Sequence, residues 1–387
     1  MTLALSAQGL RPLAGCSPTP FIARIREQGD VPERAPEREV LLLSDPAGRP
    51  VPLGYRGYLL RQDVSEWNGF QVAYVLAPEL HYLAEGDVVR IHPARRELSV
   101  LYRRASPSNS LLVTERCDNL RLMCSQPPRK QDDSWLVDEL MDLIPLISPE
   151  TRELGITGGE PGLLGERLIL LLEQLKQWLP RTGVHVLTNG RRFSSPDFAR
   201  AVGRVEHPDL MLGVPLYSDL TEEHDYVVQA RGAFDETVRG ILNLKRARVR
   251  VELRFVIHAQ TYARLPMFAE FVSRNLRFVD HVALMGLELM GFAKTNLRLL
   301  WVDALDYQRE LSEAVRTLDR AGLSTSLYNH QLCTLPAELH AFARRSISDW
   351  KNTYADECGG CQKRDMCGGF FASSSLRRSR GIRPFLG

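Results

Sequence analysis

The spacing of apolar and polar residues divides the chain into three regions. From residue 39 to about residue 104, short runs such as FQVAYVLAP and GDVVRIHP lie between turn-forming residues. Runs of this length and alternation predict short β-strands. We therefore predict a small β-rich domain at residues 39–107, with a flexible leader at residues 1–38 before it. The polar sequence RRASPSNS ends the domain as a linker.

From residue 108 the pattern changes to alternating strands and helices. Apolar runs such as LGITGGEP and VHVLTNG precede segments with helical spacing, such as GERLILLLEQLKQWL. Six strand–helix units up to residue 300 imply a parallel sheet. Because eight units make a complete barrel, six predict an open partial (β/α)6 barrel with its chemistry at the carboxyl ends of the strands.

The last region, residues 301–387, contains one helical stretch (VDALDYQRELSEAVRTLDRAG), one strand (STSLYN) and then irregular, cysteine-rich chain. The predicted class is therefore α/β: a partial barrel with an N-terminal β-rich domain and a C-terminal cysteine-rich extension. No window approaches the roughly 18 uninterrupted apolar residues that predict a membrane span.

Composition narrows the choice of compartment and partner. The 387 residues carry a formal net charge of +2, which gives no reason to expect nucleic acid or an acidic membrane surface as a partner. The N-terminus lacks the charged and apolar regions of a signal peptide, so we predict a cytoplasmic protein. In a reducing cytosol, the clustering of five of the seven cysteines favours metal binding over disulfides.

Two cysteines, Cys117 and Cys124, follow the first predicted barrel strand. A [4Fe–4S] cluster needs thiolate ligands, and a cluster with three protein ligands leaves one iron open. The next strand ends in Gly158, Gly159 and the pair Glu160–Pro161. Glycines let backbone approach a ligand closely, and a carboxylate accepts hydrogen bonds from an ammonium group. The alternatives are two incidental thiols and a glycine turn between strand and helix.

Together these residues resemble the radical S-adenosylmethionine (SAM) enzymes, whose loop carries C-x3-C-x2-C and whose next strand carries a GGE motif. The resemblance implies a SAM-binding [4Fe–4S] cluster in the first loop and SAM contacts at strand ends. Beyond the glycine motif, the candidates for these contacts are Thr188 and Asn189 in the third strand, Ser218 after the fourth and Arg254 in the fifth.

Four further cysteines lie near the C-terminus with the spacing C-x24-C-x2-C-x5-C: Cys333, Cys358, Cys361 and Cys367. They predict either a zinc knuckle or an auxiliary iron–sulfur cluster. Spacing does not decide between the two metals. Behind a radical SAM barrel, we favour an auxiliary [4Fe–4S] cluster.

Longer segments give a closer resemblance. CDNLRLMCSQPP, YNHQLC, ARRSISDWKN and CGGCQKRDMCGGFFASS are together similar to the C-type radical SAM maturase of the His-Xaa-Ser repeat system. This resemblance covers about residues 108–387. It implies hydrogen abstraction from a precursor peptide with His-Xaa-Ser repeats, a second radical SAM maturase as a partner, and a protein that supplies the reductant.

Arg121 departs from the motif, because it stands where the middle cysteine belongs. Arginine stays protonated in proteins and is no iron ligand. Three explanations are open: a single-base change, a pseudoenzyme that keeps the fold, or Asp118 as an unusual ligand. The chain is then either a catalytic maturase or a non-catalytic scaffold that binds a partner maturase or the precursor. A zinc-bound structural protein is the third alternative.

Overall fold

The computed structural model describes residues 5–14, 19–27, 36–44, 53–62, 72–345 and 352–386. The chain divides into two compact units. The first comprises Met1–Leu111, Trp135–Leu154 and Gln177–Thr182, and the second comprises Leu112–Ser134, Gly155–Lys176 and Gly183–Gly387. Cys16 lies outside the described residues.

The first unit is built on a mixed eight-stranded sheet, which confirms the predicted N-terminal β-rich region. Its strand order is β1-β8-β7-β3-β4-β5-β6-β2. The strands are β1 (Ser6–Gln8), β2 (Arg11–Ala14), β3 (Phe21–Arg26), β4 (Glu39–Leu43), β5 (Gly57–Leu60), β6 (Ala73–Val75), β7 (Val88–His92) and β8 (Glu97–Tyr102). Their inward residues, among them Ile25, Val40 and Leu59, form a buried core.

The prediction of a flexible leader is wrong for the described part of residues 1–38. Strands β1 to β3 come from this segment and pair with strands far along the chain: β1 with β8, and β3 with β7. In β3, Ala23 and Ile25 are fully buried, while Arg24 and Arg26 form ion pairs with the buried Glu39. Partners this distant in sequence supply the stability of the strand, so the segment alone carries only a weak strand pattern.

The second sheet has seven strands in the order β15-β14-β13-β12-β11-β10-β9. They are β9 (Asn109–Leu112), β10 (Glu153–Thr157), β11 (Gly183–Leu187), β12 (Leu210–Pro215), β13 (Arg250–Ile257), β14 (His281–Gly286) and β15 (Thr325–Tyr328). Each neighbouring pair from β11 to β15 is parallel. The order follows the chain, with β9 and β15 at opposite edges, so the predicted open parallel arrangement is confirmed.

Helices connect all of these strands, as the alternation predicts. They are α1 (Trp135–Leu143), α2 (Glu166–Trp178), α3 (Pro196–Val205), α4 (Thr221–Val228), α5 (Ala233–Arg246), α6 (Leu265–Asn275), α7 (Phe292–Thr295), α8 (Leu297–Leu300) and α9 (Gln308–Arg320). The amphipathic faces explain their packing: α9, for example, buries Leu311, Val315 and Leu318 and packs against α6.

The predicted boundary at residue 300 is too early. Helix α9 and strand β15 add a seventh strand to the sheet, with Leu327 of β15 paired with Leu284 of β14. The outer side of β15 forms a single bridge to Ala343, and Arg344 N–H donates to the Leu327 carbonyl (2.8 Å).

Beyond this bridge the described chain is mostly short 3₁₀ turns, with one small hairpin between β16 (Asn352–Thr353) and β17 (Phe370–Phe371). Across the described ranges, no helix combines the length and the apolar character that crossing a lipid bilayer requires.

Candidate functional site

The first cysteine loop runs from β9 through Cys117 to Cys124 and is held by its backbone. Leu120 N–H donates to the Val228 carbonyl and Leu122 N–H donates to the Val227 carbonyl, each at 3.0 Å. The side-chain amide of Asn296 donates to the Leu122 carbonyl (2.8 Å). Because α4 and the chain after β14 both fix this loop, the two thiols are held in place beside the carboxyl ends of the strands.

The two glycines after β10 are required by packing inside the protein. A Cβ on Gly158 would overlap the Thr114 carbonyl oxygen, and a Cβ on Gly159 would overlap the Arg116 carbonyl oxygen. Gly159 N–H itself donates to the Thr114 carbonyl (2.7 Å). Packing against the chain's own backbone thus accounts for both glycines, and close approach of a ligand to them stays a prediction.

We expect Gly159→Ala to lower the free energy of unfolding by at least about 2 kcal/mol, because backbone atoms cannot move away from the added methyl group. Chemical denaturation followed by circular dichroism measures the effect. Gly360→Ala is the matched control, since nothing lies within 4 Å of its Cβ position. It should change stability by no more than about 0.5 kcal/mol. Equal effects of the two substitutions would contradict this account of the glycine motif.

Glu160 joins the ends of β10 and β11. Its side chain is fully buried and accepts three hydrogen bonds: from Gly162 N–H (2.7 Å), from the Thr188 hydroxyl (2.5 Å) and from Asn189 N–H (2.5 Å). The structure thus brings Glu160, predicted at the end of the second strand, together with Thr188 and Asn189, predicted at the end of the third. In this arrangement the carboxylate holds two strand ends in register with each other.

Burial raises the pKa of Glu160 from its ordinary value of 4.5 to about 7, against the lowering effect of its hydrogen bonds. The folded chain therefore holds this proton more tightly than the unfolded chain. Stability from this group is present below about pH 4.5 and is lost as the pH rises through 7, a loss on the order of 3 kcal/mol.

We expect Glu160→Gln to flatten the dependence of stability on pH between about 4.5 and 7, because an amide does not titrate there. The measurement is urea denaturation of both proteins at several pH values across this window. The informative quantity is the slope and not the absolute stability, since the amide also alters the hydrogen bond to Asn189. Identical slopes in the two proteins would show that Glu160 does not titrate in this range.

A polar network that the sequence analysis missed connects the cysteine loop to β11. Arg191 donates to the Asp118 carbonyl (2.9 Å) and the Asn119 side chain (2.8 Å), and it pairs with Glu236 (2.6 Å). The amide of Asn189 donates to the Asp118 carboxylate (2.6 Å). The position of Arg191 directly after the TNG sequence was the available signal. Since Asp118 is engaged in this way, the geometry does not favour it as a replacement iron ligand.

Arg121 lies among the two thiols of the loop. Its guanidinium donates to the Tyr217 hydroxyl (3.4 Å), and Tyr217, followed by Cys124 and Cys117, raises the pKa of Arg121 above its ordinary value. Burial raises the pKa of the Cys117 thiol to about 11. The Cys124 thiol donates to the Gln126 carbonyl (2.9 Å). The loop therefore presents a cation, a thiol that stays protonated at neutral pH and a second hydrogen-bonded thiol.

These residues do not fit a [4Fe–4S] cluster that needs three thiolates. Within the described residues, no group of three or more His, Cys, Asp or Glu side chains is placed to hold a metal ion. The cation beside Cys117 and Cys124 adds a charge where the iron of the predicted cluster belongs.

The side chains of the remaining predicted SAM-binding residues contact other parts of the chain itself. The Ser218 hydroxyl is buried and donates to Glu223 (2.8 Å) near the start of α4. The Arg254 guanidinium pairs with Glu252 (2.9 Å) and also contacts the Met285 sulfur (3.3 Å). Pro161 begins the 3₁₀ turn after Glu160 and is buried. These partners of Ser218 and Arg254 belong to α4, β13 and β14, and not to the cysteine loop.

The four C-terminal cysteines line one small cavity: Cys333, Cys358, Cys361 and Cys367. Burial raises the pKa of the Cys333 thiol, and the nearby Cys367 and Cys358 raise it further. A single zinc ion needs its sulfurs about 2.3 Å from one point. As at the first cysteine loop, the four sulfurs as they stand are not placed to hold a metal ion.

Cationic side chains surround these thiols. Lys363, Arg364 and Arg383 line the same cavity. Lys363 lies over the ring of Phe385 (4.4 Å), and Arg364 lies over the ring of Tyr354 (4.8 Å). The four thiols therefore share one cavity with three cations.

Comparison with known proteins finds likeness only to solved structures. No protein-family model matches the chain, and no curated protein matches it. The similar structures include SuiB of Streptococcus suis bound to S-adenosylmethionine, with a TM-score of 0.44 and 14% identity over 56% of this chain and 49% of SuiB. The His-tagged anSMEcpe with bound AdoMet has a TM-score of 0.44 and 15% identity over 56% of this chain and 61% of that chain.

A radical SAM methyltransferase from Sphaerobacter thermophilus matches with a TM-score of 0.44 and 15% identity, over 62% of this chain and 72% of that chain. The matched part thus spans about half the length of SuiB. At these scores and identities, the likeness does not assign this chain to a family.

Proposed function

We propose that this chain takes part in peptide maturation on a radical SAM fold, and that its present sequence binds a precursor or partner without cleaving SAM. The observation that carries the proposal is Arg121. Its guanidinium lies with Cys117 and Cys124 in the loop where three thiolates would be needed, and it is hydrogen-bonded to Tyr217. A charged side chain with its own partner is part of a folded site and not an easily displaced surface residue.

The radical SAM part of the proposal is supported by the strand ends. The glycine motif, Glu160, Thr188 and Asn189 meet at the carboxyl ends of β10 and β11, beside the loop of Cys117. Ligands bind at this edge in parallel α/β folds. The predicted SAM contacts remain proposals, and Ser218 and Arg254 would have to exchange their present partners to make them.

We further propose that the four C-terminal cysteines hold an auxiliary [4Fe–4S] cluster. The shared cavity and its three cationic side chains support this assignment. A cluster bound there would supply one-electron redox capacity. The peptide with His-Xaa-Ser repeats, a second maturase, a reductant protein and the cytoplasmic location remain predictions from the sequence.

A catalytic maturase is the second candidate. The observation that favours it is the retention of Cys117, Cys124 and the buried Glu160 at one edge of the sheet. A pseudoenzyme under no selection for that site would not need all three. The two candidates differ in one residue of the loop.

Anaerobic iron and sulfide analysis of the unaltered protein tests the proposal. We expect about four irons per chain, all at the C-terminal cysteines, and no SAM cleavage. Calorimetry with SAM and with a His-Xaa-Ser repeat peptide measures binding separately. A count of about eight irons would favour the catalytic candidate, and zinc in place of iron would overturn the auxiliary cluster.

A further inference from the structure

A second cavity, of about 80 Å³, lies at the carboxyl ends of the last three strands of the parallel sheet. Ile257 ends β13, Gly286 ends β14 and Asn329 directly follows β15, and all three line it. Residues 368–371 and 377–379 of the C-terminal segment line it as well. The cavity therefore lies between the sheet and this segment, next to the cavity of the four cysteines, with which it shares Gln331 and Phe370. This volume has room for a few water-sized groups, such as one carboxylate.

The charge of this cavity is entirely positive. Arg377 and Arg378 line it, and none of the described lining residues is Asp or Glu. Nearby, Arg380 is neutralised by ion pairs with Asp303 and Asp306. Two of the four arginines after residue 368 therefore line the cavity without a carboxylate partner among the described residues, which leaves a site for an anionic group.

Aromatic rings hold both cations in place. The Arg377 guanidinium lies 4.0 Å from the centre of the Trp301 ring, and that of Arg378 lies 5.3 Å from the centre of the Phe370 ring. A guanidinium stacked on a ring keeps the N–H groups at its edge available for a carboxylate. Both side chains are exposed, but the stacking restricts their motion and lowers the entropic cost of binding.

The rest of the lining is apolar or internally paired. One wall of the cavity is apolar and is formed by Leu287, Leu289 and Phe371. At the floor, the Tyr307 hydroxyl is hydrogen-bonded to His330 Nε2 (3.0 Å), and His330 Nδ1 meets the Tyr328 carbonyl (2.8 Å). Burial lowers the pKa of His330 to about 4, so the floor is uncharged at neutral pH.

We propose that this cavity binds an acidic residue of the precursor peptide, with its carboxylate on Arg377 and Arg378 and a neighbouring apolar side chain against the wall. The inference rests on the proposed function in taking a peptide as the ligand. An apolar wall next to two fixed guanidiniums matches a carboxylate attached to a partly apolar chain better than a small hydrated anion. The site then binds acidic precursor peptides in preference to uncharged or basic ones.

Calorimetry with two probes tests this inference on the anaerobically purified protein. One probe is an acetylated and amidated octapeptide with two Gly-Phe-Glu-Leu repeats, and the other has Gln in place of Glu. We expect the acidic peptide to bind about 10-fold or more tightly, since a charge-assisted hydrogen bond has about this effect on affinity. The preference should shrink as salt rises from about 0.05 to 0.5 M.

The double substitution Arg377→Ala with Arg378→Ala should remove the preference. The control is Arg274→Ala, which changes an exposed arginine of α6 that pairs with Glu270 (3.3 Å) and does not line the cavity. Charge reversal, Arg377→Glu with Arg378→Glu, should shift the preference to a peptide with Lys in place of Glu. A misfolded protein cannot produce that reversal.

Equal binding of the Glu and Gln peptides, or a preference that survives the double alanine substitution, would overturn the inference. So would arginine-dependent binding of SAM or inorganic phosphate with no binding of the acidic peptide. Iron content and SAM binding are measured on the same samples. If the protein has its normal iron content but does not prefer the acidic peptide, only the proposed peptide site is rejected. If it prefers the acidic peptide but contains no iron, only the proposed cluster is rejected.

Discussion

Arg121→Cys is expected to raise the iron content by about four atoms per chain after anaerobic reconstitution, and to give the protein SAM cleavage under a strong reductant. The substitution completes the C-x3-C-x2-C spacing with Cys117 and Cys124. It also removes a cation that now contacts Tyr217. Iron and sulfide assays measure the first effect, and chromatographic detection of 5′-deoxyadenosine measures the second.

Arg121→Ser is the matched control, because serine has the size of cysteine but supplies no thiolate. It should gain no iron. If the unaltered protein cleaves SAM at a rate comparable with the cysteine variant, the loop tolerates Arg121 and our interpretation of it is wrong. If the cysteine variant gains iron but cleaves no SAM, even with peptide and partner present, the binding role is supported.

Cys361→Ala is expected to remove about four irons per chain and to destabilise the C-terminal region, because metal affinity in such segments contributes directly to folding free energy. Cys361 shares its cavity with the three other C-terminal cysteines, and its sulfur accepts a hydrogen bond from Phe385 N–H (3.4 Å). Iron analysis together with thermal denaturation measures both effects.

Cys117→Ala provides the comparison for this experiment, since it removes a thiol from the loop that does not fit a cluster. It should leave the iron content unchanged. Unchanged iron in Cys361→Ala would show that the four cysteines do not share a cluster, and the loss of about one zinc instead of iron would identify a zinc site.

The parallel sheet was predictable because each of its strand–helix units is a local pattern. The strands before residue 27 were not, because their stability comes from distant partners. β1 pairs with β8 through contacts such as Ser6 with Ser99, and in β3 the alternation of buried Ala23 and Ile25 with Arg24 and Arg26 covers only four residues. Strand pairing over such separations leaves little trace in the local pattern.

In the candidate site, too, residues with a local sequence pattern were predictable and contacts between distant residues were not. The glycine motif and Glu160 were identifiable by residue type and by their place at a strand end, but their contacts were not. Glu160 meets Asn189 at a separation of 29 residues, and Arg121 meets Tyr217 at a separation of 96 residues. Which side chain satisfies a buried polar group depends on the packing of whole units, which only the structure supplies.

The bridge between Leu327 and Ala343 also bears on how this protein behaves when iron is scarce. β15 is an edge strand, and the segment that covers its outer side lies between Cys333 and Cys358, both of which line the proposed cluster cavity. An exposed edge strand offers unpaired backbone groups to other chains, which promotes aggregation. If the proposed cluster holds the covering segment in place, its loss would release that segment, and protein made without iron should then form inclusion bodies by edge-to-edge pairing.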